Sequence, residues 1–170
     1  MEKKILNDFC FHKPKTLDEA LVLIDKYQEN GLLMEGGSEV IPNMKSLVVT
    51  PDHIISLKHI PEFDYITYTP GEGLHIGPSC TLTKVEYDPN VQSVYPSLYM
   101  GVHGMSNTNI HNISTVTGNI CYAVPSADTA APLLTLNAEL SVKSVDGERK
   151  VPITELFAGV RRTTLKKNEI

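Results

Sequence analysis

The sequence of 170 residues lacks features that would place it in several other classes of protein. It contains no apolar run of about 18 residues, so no membrane-spanning helix is expected. It also lacks an excess of basic residues, because 15 Lys and Arg stand against 20 Asp and Glu, for a net charge of −5. A phosphate backbone or an anionic membrane selects for basic faces, so neither partner is expected.

Cysteine is scarce, and its spacing argues against two kinds of metal site. Cys10, Cys80 and Cys121 are far apart and form no CxxC pair. The chain alone therefore does not supply the ligands of an iron–sulfur cluster or a structural zinc. The six histidines show no HExxH or other paired spacing, so no metal site is predicted. Reduced thiols, with a polar N-terminal segment 1–5 that has no signal-peptide core, predict a cytoplasmic protein.

Two glycine-containing loops, about 80 residues apart, are the strongest functional signal in the chain. The first covers residues 34–40, and the second covers 114–120 and continues into 125–130. Glycine lets the backbone approach a ligand closely, and small hydroxyl or amide residues supply donors for an anion. Two such loops can hold the two ends of a dinucleotide, which favours a flavin or nicotinamide cofactor. Taken singly, each loop is explained equally well as a tight turn.

The first 60 residues have the pattern of a small α/β lobe. A helix is predicted over 16–29, where Thr16 and Glu19 fit a capping box and apolar residues recur at helical spacing. Two short apolar runs are typical of buried strands, residues 32–34 and 53–57. The first run ends at the glycine loop, and the carboxyl end of a strand is the usual place for a site in an α/β sheet.

Residues 61–170 have the pattern of a second, mixed lobe with antiparallel strands. Turn residues join two pairs of strand-like segments, 65–68 with 74–76 and 139–145 with 149–151. Helices are predicted over four segments, residues 82–87, 91–103, 127–136 and 153–158. Ser126 fits an N-cap, which would place Asp128 in a first helical turn. The predicted fold class is therefore α+β.

Four segments in the same order resemble the FAD-binding medium subunit of the molybdenum hydroxylases. This family includes xanthine dehydrogenase, molybdenum-type carbon monoxide dehydrogenase, nicotinate dehydrogenase and 4-hydroxybenzoyl-CoA reductase. Where the family typically shows Ala-Gly-Gly-Thr-Asp-Leu, this chain has Glu-Gly-Gly-Ser-Glu-Val at residues 35–40. The similarity covers four segments with matching spacing, residues 35–45, 76–81, 110–120 and 125–134.

The resemblance implies FAD in a cleft between the two lobes and no catalytic side chain in this chain. The first loop would surround the pyrophosphate, the second would hold its other face and the ribityl chain, and Asp128 would contact the polar side of the flavin or the ribityl hydroxyls. The helix dipole accounts for Asp128 equally well. The cofactor-binding residues implied are Glu35, Gly36, Gly37, Ser38, Glu39, Val40, Thr81, Thr115, Gly118, Asn119 and Asp128.

The resemblance also implies an electron-transfer role within a larger enzyme. Electrons from a molybdopterin-binding large subunit would cross the [2Fe–2S] clusters of a small subunit, reach FAD, and pass to NAD+ or another acceptor. The family continues into a third lobe that covers the isoalloxazine ring, and this chain has no counterpart of it. We therefore expect the isolated chain to bind FAD weakly or not at all.

Two substitutions support an alternative function. Glu35 places a carboxylate where the family has a small apolar residue beside the pyrophosphate loop, and Thr117 replaces a glycine. A carboxylate near a diphosphate opposes binding unless its side chain points away. A β-branched residue is costly if the backbone requires a positive φ. The alternative is a non-catalytic assembly module of the same fold that has lost flavin binding.

Overall fold

A three-stranded parallel sheet forms the first part of the molecule. The structure, a computed structural model, describes residues 6–170; the polar N-terminal segment 1–5 lies outside the described residues. The strands are β1 (Cys10–His12), β2 (Gly31–Met34) and β3 (His53–Ser56), in the order β1-β3-β2. Strands β2 and β3 confirm the two predicted apolar runs. Strand β1 was not predicted. It is only three residues long and mostly exposed, so it carries no buried apolar run.

Helix α1 (Leu17–Lys26) connects the first two strands and ends three residues earlier than predicted. Its N-cap is the predicted one, since the Glu19 N–H donates to Thr16 Oγ1 at 3.2 Å. The Glu19 carboxylate, however, accepts from the Lys15 N–H at 2.7 Å and not from that of Thr16, so the predicted reciprocal capping box is wrong in its second half. The helix buries a stripe at helical spacing, formed by Ala20, Leu21 and Ile24.

The first hydrophobic cluster lies between α1 and the central strand β3. Its members come from the helix, the strand and two 3-10 turns, and they are Ala20, Ile24, Ile55, Leu57, Ile60 and Phe63. Because the three strands are parallel, their carboxyl ends lie at one edge of the sheet. Met34 and Ser56 are register partners at that edge, so the glycine loop leaves the sheet beside Leu57.

The remaining strands form antiparallel pairs, which confirms the α+β fold class. The two predicted hairpins are present, and a third small pair follows them. The pairs are β4 (Ile66–Thr69) with β5 (Gly73–Ile76), β6 (Glu139–Ser144) with β7 (Gly147–Pro152), and β8 (Phe157–Gly159) with β9 (Arg162–Thr163).

The remaining α-helices are short. They are α2 (Val40–Lys45), α3 (Leu82–Tyr87), α4 (Pro89–Val94), α5 (Pro96–His103), α6 (Thr108–His111), α7 (Val116–Cys121), α8 (Ala130–Thr135) and α9 (Ile153–Leu156). Pro96 occupies the first turn of α5, as predicted. The predicted helix over 91–103 is nevertheless divided there, because a proline disfavours the helical conformation of the residue before it. No helix within residues 6–170 is long and apolar enough to cross a membrane.

The start of α8 differs from the prediction. The helix begins at Ala130, and Thr129 occupies the N-cap position. Ser126 and Asp128 are both exposed in the turn before it. Asp128 is therefore the residue before the N-cap and does not lie in the first helical turn as predicted.

The second and larger hydrophobic cluster packs the helices against the antiparallel strands. It is formed by Cys80, Leu82, Val85, Val91, Leu98, Val102, Met105, Val116, Ile120, Leu133, Val142, Val151, Ile153 and Leu156. The division of the chain into lobes 1–60 and 61–170 remains a prediction. Phe63, beyond the predicted boundary at residue 60, packs in the first cluster, and the second cluster begins at Cys80.

Substitution of a buried valine provides a test of this core. Val91 in α4 is 0% exposed, so Val91→Ala is expected to lower the free energy of unfolding by about 2 kcal/mol. Val22 in α1 is 61% exposed, so Val22→Ala is expected to leave the free energy of unfolding unchanged or slightly raised, because alanine has the higher helix propensity. Urea denaturation of both variants measures the difference. Equal effects would show that Val91 does not lie in a packed core.

Candidate functional site

The two glycine loops are in direct contact. A Cβ atom added to Gly36 would lie 1.7 Å from the carbonyl oxygen of Ile113, so only glycine fits at this crossing. Next to it, Ser114 Oγ donates to Ser38 Oγ at 2.8 Å. Segments that are 76 residues apart in the chain therefore form one continuous surface at the carboxyl end of β2.

A tyrosine forms a further tie between the two parts of the chain. Asn43 Nδ2 in α2 donates to the Tyr122 hydroxyl at 3.1 Å, just after α7. The guanidinium carbon of Arg161 lies 5.3 Å from the centre of the same ring, and the Arg161 N–H donates to the Ala123 carbonyl at 2.7 Å. The helices that follow both loops are thereby held together. Nothing in the spacing of these residues predicted the contact.

The first loop presents backbone donors that the protein itself does not use. Gly37 has a φ of +74°, a conformation that disfavours residues with a side chain. The loop then turns into α2, where the Ile41 N–H donates to the Gly37 carbonyl. Within residues 6–170, the N–H groups from Gly36 to Val40 make no hydrogen bond to the protein. A row of free amides in such a turn is a concave binding surface for an anion.

The second predicted loop is largely a helix. Thr115 is the N-cap of α7, and its Oγ1 accepts from the Gly118 N–H at 2.9 Å. The Asn119 N–H donates to the Thr115 carbonyl at 3.0 Å, so Thr117 lies within the first helical turn. Thr117 does not have a positive φ, and the expectation of backbone strain there was wrong. A β-branched residue is tolerated because the family's glycine position coincides here with ordinary helical backbone.

Thr81 joins the same surface through the backbone. It forms an isolated antiparallel bridge with Thr115, and the neighbouring Leu82 N–H donates to the Ser114 carbonyl at 2.8 Å. Its hydroxyl accepts from the Lys84 N–H at 3.4 Å as the N-cap of α3. The predicted residue therefore lies beside the second loop, with its side chain engaged in capping.

Asn119 and Asp128 lie near each other in the chain path but differ in their contacts. Asn119 Oδ1 accepts from the hydroxyl of the fully buried Thr129 at 2.5 Å, which fixes the turn before α8 against α7. The Asp128 carboxylate is exposed and makes no hydrogen bond within the described part of the chain. The structure thus brings the backbone of Asp128 near the second loop without engaging its carboxylate.

Glu39 and Val40 lie at the start of α2, and the Glu39 side chain is exposed and caps nothing.

Glu35 turns its side chain into the protein beneath the loops. Its Oε2 accepts from Ser79 Oγ at 2.7 Å, whereas Oε1 is buried without any hydrogen-bond partner. Burial raises the pKa of Glu35 to about 7, and the hydrogen bond from Ser79 opposes this shift in part. Burial likewise raises the pKa of the half-buried Cys121 thiol to about 11, with a smaller contribution from the Glu35 charge. No pattern in the chain indicated the pairing of Ser79 with Glu35.

A second polar cluster lies away from the loops. Glu86 accepts from ring nitrogens of His103 and His111, at 2.8 Å each, and these bonds lower the pKa of the Glu86 carboxyl. The buried His111 also bonds the Met105 carbonyl at 2.6 Å. Among the described residues, 6–170, no group of three or more His, Cys, Asp or Glu side chains is arranged to hold a metal ion.

The paired loops are the arrangement of a dinucleotide-binding domain, and comparison with known proteins agrees. Residues 7–170 match the family model described as the FAD binding domain in molybdopterin dehydrogenase. The chain is 30% identical over 169 residues to the nicotinate dehydrogenase FAD-subunit of Eubacterium barkeri, covering 97% of this chain and 57% of that protein. It is 32% identical over 165 residues to the xanthine dehydrogenase FAD-binding subunit of Escherichia coli O157:H7, covering 96% of this chain and 56% of that one.

A solved structure shows the same fold. Carbon monoxide dehydrogenase from Hydrogenophaga pseudoflava, in a form that lacks the Mo-pyranopterin moiety, superimposes with a TM-score of 0.93 at 28% identity. The match covers 98% of this chain and 57% of the other. The chain belongs to the family of FAD-binding domains of molybdopterin dehydrogenases. It spans a little over half the length of these relatives.

The residues present fit the family cofactor. The free amides of the first loop provide donors for a diphosphate without a basic side chain, and Gly36 puts no side chain between the two loops where they cross. The Glu35 carboxylate, which opposes an anion on charge grounds, is buried and turned toward Ser79. FAD is therefore compatible with the donor set at the crossing of the two loops.

The crossing of the loops can be tested by adding a single methyl group. Gly36→Ala places a Cβ against the Ile113 carbonyl and is expected to cost about 3 kcal/mol or more, since backbone must move. The midpoint of thermal unfolding, followed by circular dichroism, should fall by roughly 10 °C. Gly104→Ala is the control, because Gly104 has a helical φ of −75° and its nearest neighbour would be 3.3 Å away. A Gly36→Ala protein as stable as the control would contradict the contact.

The buried Glu35 also makes stability depend on pH. Its pKa is raised in the folded protein, so the folded state holds the proton over a range in which the unfolded state has lost it, from about pH 4.5 to about 7. Stability from this group is therefore full below that range and falls as pH rises through it, by up to about 3 kcal/mol. Glu35→Gln should remove this component.

Urea denaturation at pH 5 and pH 8 measures the effect as a difference between variants. His12 has a lowered pKa, which makes the free energy of unfolding rise with pH and so opposes the effect of Glu35. Each variant is therefore compared with the unmodified chain at the same pH. Glu72→Gln is the matched control, since Glu72 is exposed in the turn between β4 and β5. The expectation fails if the free energy of unfolding changes equally between the two pH values in Glu35→Gln and Glu72→Gln.

Proposed function

We propose that this chain is the FAD-binding part of an electron-transfer subunit in a molybdenum-dependent hydroxylase or dehydrogenase. The observation that supports this most directly is the contact between the two glycine loops, with a row of free backbone amides beside it. The names of the relatives, which include nicotinate and xanthine dehydrogenase FAD subunits, support the same class of reaction.

Each predicted residue has a stated task in this proposal. The amides of Gly36, Gly37 and Ser38 bind the diphosphate, and the hydroxyl pair of Ser38 with Ser114 fixes the loop. The first turn of α7, with its N-cap Thr115, contacts the other face of the diphosphate. Thr81, Gly118 and Asn119 hold this surface in place, and Glu35, Glu39 and Val40 complete the first loop up to the start of α2. Asp128, whose carboxylate is exposed, is available to hydroxyl groups of the ribityl chain.

The chemistry of the reaction belongs to the bound flavin, which accepts and passes on electrons. No side chain of this chain acts as an acid or base in the proposal. The chain's own contribution is to bind and orient the cofactor and to control the charge around it. The electron donors are [2Fe–2S] clusters on a small subunit, which receive electrons from a molybdopterin-binding large subunit. The acceptor is NAD+ or another oxidant, and the complex acts in the cytoplasm.

The alternative function, an assembly module that has lost flavin binding, rested on Glu35 and Thr117. Thr117 carries no backbone strain, because it lies in a helical turn. Glu35 directs its carboxyl group toward Ser79 and is held in an environment that favours its neutral form. Neither residue therefore favours the alternative.

Titration of the purified chain with FAD tests the proposal. We expect binding that quenches flavin fluorescence, with a dissociation constant above about 1 μM. The affinity is expected to be modest because the chain spans little over half the length of its relatives. An unchanged flavin fluorescence per FAD molecule at high concentrations of chain and FAD would contradict the proposal and favour the assembly module. Sub-micromolar binding would show that residues 1–170 already contain the complete site.

A further inference from the structure

The Glu35 carboxyl group is the one buried acidic side chain directly beside the proposed diphosphate loop. Its Cα is bonded through a single peptide unit to Gly36, so it lies about 3.8 Å from the Cα of the first loop glycine. One oxygen is held by Ser79, and the other is buried without a partner. A charged carboxylate with an unpartnered buried oxygen is costly, because desolvation is not repaid by a hydrogen bond.

Among the described residues, 6–170, no charged group stabilises the ionised form of Glu35. From the segment before α3, the neighbouring group is the neutral Ser79 hydroxyl, which also lies 3.4 Å from the Leu57 carbonyl. From α7, it is the Cys121 thiol, whose raised pKa keeps it neutral. The pKa of Glu35 is set by burial and by the Ser79 hydrogen bond, without a contribution from a cation. The group is therefore sensitive to any new charge brought to the loop.

A diphosphate at the loop would be such a charge. Its negative charges would lie within about one Debye length of Glu35, in a partly dry site where screening by salt is weak. Repulsion between like charges favours the neutral form of the carboxyl. We propose that FAD binding by this chain is coupled to protonation of Glu35, so that the neutral carboxyl is the binding-competent form and the ionised carboxylate repels the cofactor.

The direction of the pH dependence follows from this coupling. The bound diphosphate holds the Glu35 proton more tightly than the free site does, so binding takes up a proton wherever the free group is ionised. Affinity is therefore highest below the pKa of the free group and falls as pH rises above it. The two phosphates of FAD remain ionised throughout, so the ligand itself does not supply this trend. The inference rests on the proposed function, because it requires the cofactor to bind at this loop.

The experiment is a fluorescence titration with FAD at pH 6.0 and pH 8.5, using the unmodified chain, Glu35→Gln and Glu72→Gln. The unmodified chain should bind FAD more weakly at pH 8.5, with a dissociation constant raised on the order of tenfold. Glu35→Gln, which keeps a neutral side chain that can bond Ser79, should bind equally well at both pH values. Glu72→Gln should behave like the unmodified chain, because Glu72 is exposed in a turn far along the chain from the loop.

Calorimetry provides a readout that a purely structural role would not change. At pH 7.5, titrations in two buffers with different ionisation enthalpies should reveal net proton uptake on binding, and Glu35→Gln should abolish it. Equal affinities at both pH values in the unmodified chain would overturn the role of Glu35 and leave the proposed function intact. Loss of binding by folded Glu35→Gln at both pH values would also overturn it. Failure of all three proteins to bind FAD at either pH would instead overturn the proposed function.

Discussion

The crossing of Gly36 over the Ile113 carbonyl is the constraint on which the candidate site depends. The backbone of one loop lies against the backbone of the other, with no room for a side chain between them. The hydroxyl pair of Ser38 and Ser114 and the hydrogen bond from Asn43 to Tyr122 extend this contact on both sides. Both loops are thus fixed by groups other than the free amides, which leaves those amides available for a ligand.

The elements with clear periodic or turn signals were predicted well from the sequence. The hairpins β4–β5 and β6–β7 have alternating strands around strong turn residues, and α1 has a capped, amphipathic pattern, so local interactions largely determine them. That the two loops would hold one ligand was expected from their composition and from the family resemblance, but their direct contact was not. Nothing in the local pattern of either segment specifies its partner 76 residues away.

The short length of several elements explains why the sequence pattern did not reveal them. Helices α2, α6 and α7 have four to six residues, too few to show a helical period, and an isolated helix of that length is not stable in water. Tertiary contacts and single capping side chains such as Thr115 stabilise them instead. The inward orientation of Glu35 was missed for a similar reason. It depends on Ser79, which reaches the loop only through the path of the chain between β5 and α3.

The raised pKa of Cys121 has a consequence for the chemical durability of a flavin site. Reduced flavins exposed to oxygen release peroxide, and peroxide attacks thiolates in preference to thiols. With a pKa of about 11, only about one Cys121 side chain in ten thousand is a thiolate at pH 7. The Cys121 sulfur is therefore poorly reactive toward the peroxide that a flavin bound by this chain would generate, and it has no ready route to sulfenic acid.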